Sequence, residues 1–357
     1  MKQDKRILSA KEHWAGRMVT NGVPLSDFLD VTNNVSVWKD WCKTWSKKGD
    51  LHRELGDAAI SENKTISAAE HLRTAAVCYH FGRFLFVDFP EEMREAHQKS
   101  VECYNKALPL FNPSGKRLSI PYEGKHLYGN LRVPKSHFVR PPVVILILGL
   151  DSTKEEMFTY ESVFLERGIA TFSFDGPGQG EGEYDFFMCP EYEKPVTAVI
   201  ERLKEETIIN TKKIGLWGVS MGGYYAPRAA AFCKDVSACI SLSGPFNLNQ
   251  CFDSLPELTS TAVIYRSGSK EASDVSEFTK RMSLREVASK IECPLYIVSG
   301  ALDRVIPPKQ GELLEKAAEN SSEVIHQIIP NGGHVANNVS YFYRNKCADW
   351  MTEKLNS

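Results

Sequence analysis

The stretch KKIGLWGVSMGGYYAPRAAAF, residues 212–232, decides the fold. An apolar run, KIGLW, gives way to an alanine-rich helical pattern, and at the junction Ser220 stands between Gly218 and Gly222. A serine on a sharp strand-to-helix turn needs small neighbours, because the strained backbone brings its flanks close together. The first N–H groups of the helix after the turn favour negative charge developing beside that serine. Pro227 disagrees with this picture: it lies deeper than the first turn and is expected to kink the helix. The competing reading is a tight Gly-Ser turn with no chemistry, and the rest of the chain decides between them.

A serine hydroxyl is a poor nucleophile until a base takes its proton, so a histidine and an orienting carboxylate are required. Of nine histidines, His13, His52, His71, His80 and His97 lie in a helical front region, His126 and His137 flank a hairpin, and His326 falls in a strand. His334 differs, because IIPNGGHVANN places it in a glycine-rich loop directly after the last apolar run. Two glycines let that loop fold back over strand ends. The carboxylate comes from PLYIVSGALDRVIPP, where Asp303 sits in a loop after a strand and two prolines stiffen the turn. Alone, His334 reads as a solvated loop residue and Asp303 as a loop cap. Together with Ser220 they stand in the chain order Ser, Asp, His, which is that of the α/β-hydrolases.

Acyl transfer also needs donors for an oxyanion. The Met221 N–H, next after the serine, is one candidate. The second is expected from the loop after VVILILG, with Leu150 preferred and Asp151 in reserve.

Working outward, residues 1–113 carry helical signals and almost no strand signals. Ser67, with Glu70 three residues on, is expected to cap a helix running through Tyr79, and further helices are expected over 25–48, 51–62 and 91–109. Tyr79, Phe81, Phe84 and Phe86 either pack a core or roof a pocket for a flat substrate. Pro109, Pro113 and Gly115 then mark a domain boundary. From residue 117 the period changes. RLSIPYEGKHLYGNLRVP alternates as a hairpin does, and short apolar runs at 143–148, 169–174, 214–217, 237–242, 295–298 and 324–329 alternate with helical segments. That alternation predicts an α/β domain over 117–357, with a mostly parallel sheet covered on both faces. Residues 245–290 lack a strand and are expected to form an inserted cap.

FSFDGPGQGEGE, residues 172–183, is not a dinucleotide fingerprint, because Glu181 occupies the place of the third glycine. It reads as a tight turn beside the active-site mouth. No HExxH or paired ligand set suggests a metal, and no cofactor is expected. The net charge of -2 leaves no electrostatic footprint for nucleic acid. The most apolar stretch, PPVVILILGL, is too short to span a bilayer, and MKQDKRILSAKEHW does not read as a secretory leader. Nine scattered cysteines, an odd number without a CxxC pair, fit a reducing, cytoplasmic setting. The expected partners are a small-molecule substrate and, in a homodimer, a second copy of the chain.

With these residues in place, the chain resembles the α/β-hydrolase superfamily over 117–357. The segments HWAGRMVTNGV, WKDWCKTWSKKGDLHRELG, SAAEHLRTAAVCYHFGRFLFVD, FDGPGQGEG and GVSMGGYYAPRAAAF extend the likeness to the front region. Together they resemble the 2,6-dihydroxypseudooxynicotine hydrolases and are similar to fungal hydrolases that shorten polyketides. That resemblance implies a serine-triad hydrolase that cleaves a carbon–carbon bond next to a carbonyl without metal or organic cofactor, with Ser220, Asp303 and His334 in the triad. Two other readings stay open: a carboxylesterase or amidase on a small acyl substrate, and a non-catalytic binding protein on the same fold.

Overall fold

Five helical stretches with apolar faces open the chain, and each finds a partner among the others. The structure, a computed structural model, describes residues 3–135 and 139–356; His137 lies outside them. The chain divides into two units, one of residues up to Arg117 together with Glu155–Thr159, the other of Leu118–Lys154 and Tyr160 onward.

The first unit contains α1 (Lys5–Thr20), α2 (Leu25–Asn34), α3 (Trp41–Ser61), α4 (Thr65–Arg83) and α5 (Pro90–Ala107). From Leu72 to Arg83 all but one residue of α4 is buried, which is the pattern of a central helix wrapped by its neighbours. Tyr79, Phe81, Phe84 and Phe86 are buried within this unit. Phe84 meets Trp14 edge-on at 5.3 Å, Phe86 lies 5.6 Å from Trp38, and Phe81 lies 6.5 Å from Trp45. They are core residues.

Two local expectations fail here for identifiable reasons. Ser67 does not cap α4, which begins at Thr65. Asn63, at φ 58, ends α3 in a Schellman turn in which Lys64 N–H donates to Ala59 O (2.8 Å) and Asn63 N–H to Ile60 O (3.0 Å). That turn leaves no spacer before the next helix. The break expected near residue 49 is absent, and the chain breaks instead between Asn34 and Trp41. Gly49 lies inside α3, where a Cβ would stand 2.6 Å from the Tyr79 ring of α4, so it serves close packing and not a turn.

The second unit carries an eight-stranded sheet. In chain order the elements after α5 are β1 (Gly115–Tyr122), β2 (Lys125–Arg132), β3 (Pro142–Ile147), α6 (Phe158–Leu165), β4 (Ala170–Asp175), α7 (Glu193–Lys204), β5 (Asn210–Val219), α8 (Gly222–Phe232) and β6 (Val236–Leu242). Then come α9 (Asn249–Phe252), α10 (Glu257–Ser267), α11 (Ala272–Arg281), β7 (Leu295–Gly300), α12 (Lys309–Ala317), β8 (Val324–Ile329) and α13 (Arg344–Asn356). The strand order is β1-β2-β4-β3-β5-β6-β7-β8. β3 to β8 run parallel, and β2 pairs antiparallel with β4. β3, β4 and β7 are buried at every residue, as a doubly covered parallel sheet requires. Residues 245–290 hold α9 to α11 between β6 and β7 and contain no named strand.

Register aligns the ends that matter. Ile147 pairs with both Phe174 and Gly218, and Val219 with Leu242, so the turns after β3, β4, β5 and β6 emerge side by side. The order reverses at β3, which sends its neighbours β4 and β5 to opposite sides, and ligands of open α/β sheets bind outside the carboxyl ends at such a point. Among the described residues, no helix is long and apolar enough to cross a membrane.

In the first unit Glu156 is wholly buried and meets Arg17 through two hydrogen bonds of 2.6 Å, Asn21 at 2.7 Å and His80 at 3.1 Å. Burial alone would raise its carboxyl, but Arg17 and then His80 outweigh that and hold it well below the usual carboxylate range. A depressed carboxyl stabilises the fold above its unfolded value of about 4.3 and loses that contribution as pH falls further. Arg17→Met strands a buried carboxylate, and should lower the unfolding free energy by about 3–5 kcal/mol at neutral pH. The gap to wild type should narrow below pH about 4. Urea unfolding read by tryptophan fluorescence suits this test, since Trp14, Trp38, Trp41 and Trp45 all lie in the unit.

Candidate active site

Ser220 has φ 56, the left-handed region that an L side chain adopts only at a cost of about 1–3 kcal/mol. Three features hold it there. Its N–H donates to Leu242 O (2.8 Å), and its carbonyl accepts from Gly223 N–H (2.7 Å). Gly218 and Gly222 let the turn close: a Cβ at 218 would stand 2.0 Å from Gly222 O, and one at 222 would stand 2.1 Å from Ile147 O. A side chain at 222 would push the elbow off the end of β3, and one at 218 would push β5 off the start of α8.

Pro227 does not break α8, which runs unbroken from Gly222 to Phe232. A proline at this place removes the N–H that would bond to Gly223 O, four residues earlier. The buried Ser241 hydroxyl of β6 donates to that carbonyl instead, at 2.7 Å. The acceptor that Pro227 leaves without a helical donor is thus satisfied from outside the helix.

His334 reaches the elbow from the loop after β8. Its Nε2 lies 2.8 Å from Ser220 Oγ, and its Nδ1 lies 2.9 Å and 3.1 Å from the two carboxylate oxygens of Asp303. Asp303 Oδ1 also accepts the N–H groups of Val305 and Ile306, each at 2.9 Å. The carboxylate is buried and locked, with His334 nearly as buried. A carboxylate facing Nδ1 keeps the proton there and leaves Nε2 free to accept one from the serine. Leu302 N–H donates to Gly332 O (2.8 Å), tying the acid and base loops together. Val335 and Ala336 have φ 58 and 47, and Val335 N–H is caught by Ser243 Oγ (3.1 Å). Ser243 is a supporting residue that no sequence motif marks, because its partner lies 92 residues away.

A second serine–histidine–carboxylate chain, with a glutamate in place of the aspartate, occurs elsewhere without the same consequences. Ser299 Oγ lies 3.0 Å from His326 Nε2, whose Nδ1 lies 3.0 Å from Glu315. Ser299 sits inside β7 and not on an elbow. A Cβ on Gly311 would stand 2.4 Å from its hydroxyl, so α12 covers it and leaves no room for a carbonyl carbon. Backbone context separates the two constellations.

Met221 begins the first turn of α8, and Leu150 follows β3. Among the described residues, neither amide N–H has a hydrogen-bond acceptor. A Cβ on Gly149 would stand 3.3 Å from Ser220 Cβ, so the turn carrying Leu150 faces the serine directly. Asp151 turns its carboxylate toward the buried Arg266 of α10, 3.3 Å away. The turn after β4 is a 3₁₀ segment, Gly180–Tyr184.

A mostly parallel eight-stranded sheet flanked by helices, with a serine elbow after β5, defines an α/β-hydrolase, and the protein is a hydrolase of that superfamily. Within it, the chain belongs to the esterase FrsA-like family, which it matches over residues 27–295. The 2,6-dihydropseudooxynicotine hydrolase of Paenarthrobacter nicotinovorans is 32% identical over 344 residues, 95% of this chain and 91% of that protein. The crystal structure of a 2,6-dihydroxy-pseudo-oxynicotine hydrolase superposes with a TM-score of 0.88 at 30% identity, covering 95% of each chain. Hydrolase LUC6 of Fusarium sp is 28% identical over 320 residues, 76% of each protein.

The Ser241–Gly223 bond yields a coupled prediction. Ser241→Ala leaves a buried carbonyl without a donor and should cost about 1–3 kcal/mol. In a Pro227→Ala background the restored N–H can serve Gly223, and the same substitution should cost much less. A double-mutant cycle by urea unfolding measures the difference.

Proposed function

We propose that the protein is a serine hydrolase that cleaves a carbon–carbon bond adjacent to a carbonyl in a small aromatic or polyketide-like ketone. The observation that carries this reading is the continuous Ser220–His334–Asp303 chain of hydrogen bonds on a left-handed elbow. As the ketone carbonyl meets Ser220 Oγ, His334 Nε2 takes the serine proton and Asp303 stabilises the imidazolium. The N–H groups of Met221 and Leu150 receive the oxyanion, with Asp151 the alternative to Leu150. Collapse of the tetrahedral adduct breaks the carbon–carbon bond. The departing carbon keeps the electron pair, delocalised into a second carbonyl or an aryl ring, and takes the proton from His334. Water, deprotonated by His334, then attacks the acyl-serine and releases a carboxylic acid. Overall one water is consumed, one acid and one shortened ketone or arene are formed, and Ser220 is restored.

The likeness to a pseudooxynicotine hydrolase along nearly the whole chain supports the ketone substrate. The family's description as esterases favours a second reading, in which the same groups expel an alkoxide or amine from a small acyl substrate. The free state of all nine cysteines supports a reducing, cytoplasmic setting, and light scattering tests the homodimer.

Ser220→Ala should abolish turnover with the fold intact, and a fluorophosphonate should label wild type alone. Equal labelling of the mutant would remove the nucleophile. A panel of aryl 1,3-diketones and matched aryl esters then separates the two readings. Diketones should be turned over faster, at a rate unchanged by chelator, while turnover of esters alone would replace carbon–carbon cleavage with ester hydrolysis.

A further inference from the structure

We propose that Gln179, in the turn after β4, is a positioning residue that holds the oxyanion-binding turn after β3. The inference rests on the serine-hydrolase reading and adds to it a residue whose side-chain hydrogen bonds among the described residues go to the turns after β3 and β4 and to Tyr192, not to the triad. Gln179 is buried, and its amide is held by four internal hydrogen bonds. Nε2 donates to Leu148 O (2.7 Å) and to Gly149 O (2.8 Å). Oε1 accepts from Tyr192 OH (2.6 Å) and from Gly176 N–H (3.3 Å). Carbonyl oxygens only accept and a backbone N–H only donates, so these partners fix which end of the amide is which. Burial pushes the Tyr192 hydroxyl well above the ordinary phenol range, so it stays protonated and donates.

Leu148 and Gly149 lead directly into Leu150. In a trans peptide the C=O and the following N–H point to opposite sides. Anchoring Gly149 O on Gln179 therefore aims the Leu150 N–H away from Gln179, in the turn that approaches Ser220. Oxyanion stabilisation depends on donors already oriented before charge develops, since reorganising them during reaction offsets the gain. The supports of Gln179 are built for this arrangement. A Cβ on Gly176 would stand 1.9 Å from the Tyr192 hydroxyl, so glycine there admits the Tyr192–Gln179 pair. Tyr192 is in turn stacked on Tyr225 of α8, ring centroids 3.7 Å apart, on the helix next after the nucleophile. A bond network thus runs from behind the elbow helix to the turn facing the serine.

A merely structural glutamine would affect stability alone, whereas a positioning residue selectively affects binding of the tetrahedral state. The test compares an aryl trifluoromethyl ketone, which adds Ser220 to form an oxyanion, with the matched methyl ketone, which binds as an unreacted carbonyl. Gln179→Met, similar in length and without polar atoms, should weaken the trifluoromethyl ketone on the order of ten- to a hundredfold, less than loss of a donor itself. Methyl ketone affinity should stay within about twofold, and kcat should fall with KM unchanged. Tyr192→Phe, which frees the glutamine amide to turn, should shift the same ratio several-fold, and it carries the test if Gln179→Met does not fold. Unchanged ratios in the folded variants would overturn the role of Gln179. If wild type and Ser220→Ala bind the trifluoromethyl ketone alike, the nucleophile reading itself fails, which is a separate result.

Discussion

The constraint on which the rest depends is the left-handed backbone at Ser220. At φ 56 the serine side chain is thrust out beyond the sheet edge, and α8 starts two residues later with Met221 as its N-cap. The conformation is unfavourable for an isolated serine, so its surroundings must impose it. Glycines at 218 and 222 admit the carbonyls of Gly222 and Ile147, and Leu242 holds the serine amide from the neighbouring strand. Strain recurs at Ser243, Val335 and Ala336, all with positive φ and all around the same edge. Strained backbone at several adjoining loops along this edge is held there at some expense of stability.

Buried charge organises the loops along that edge. Asp175 accepts the Lys154 amide (2.9 Å), Lys154 Nζ (2.7 Å) and the Glu181 amide (3.0 Å), while Lys154 also meets Glu181 at 2.7 Å. This joins the turn after β3 to the turn after β4. Arg266 joins α10 to the same turns through Gly178 O (2.9 Å), Glu183 and Asp151. Buried pairs of this kind add little net stability once desolvation is counted, but losing one partner is costly. Their effect is to leave each loop a single arrangement, which preorganised donors need.

The contrast between Ser220 and Ser299 shows what distances alone leave out. Both hydroxyls approach a histidine that is paired with a carboxylate. Ser299 is a strand residue packed under Gly311, whereas Ser220 stands next to the Met221 amide and opposite the turn that carries the Leu150 amide, and neither amide has an acceptor among the described residues. The nucleophile proposed at Ser220 needs room for a carbonyl and donors for its oxygen, and the packing of Gly311 denies Ser299 that room.

The sequence by itself determined the class of fold, because alternating short apolar runs and helical segments leave a covered parallel sheet as the arrangement that buries them. It also singled out Ser220, Asp303 and His334, since each stands in a loop directly after a strand and loops after parallel strands open on one edge. What it left undecided depends on partners distant in the chain. The donor that Pro227 takes from Gly223 is seen to be replaced only once Ser241 is placed, and the helices expected at 25–48 and 51–62 join across Gly49 only because its bare backbone packs on Tyr79. Ser67 reads as a cap until Asn63 closes α3 just before it. Gln179 and Ser243 have no local signature at all, because their importance lies in carbonyls and amides about 30 to 90 residues away. Periodicity and turn chemistry act over a few residues and are legible in one dimension. The satisfaction of buried polar groups is a property of the packed chain, and only the tertiary structure decided it.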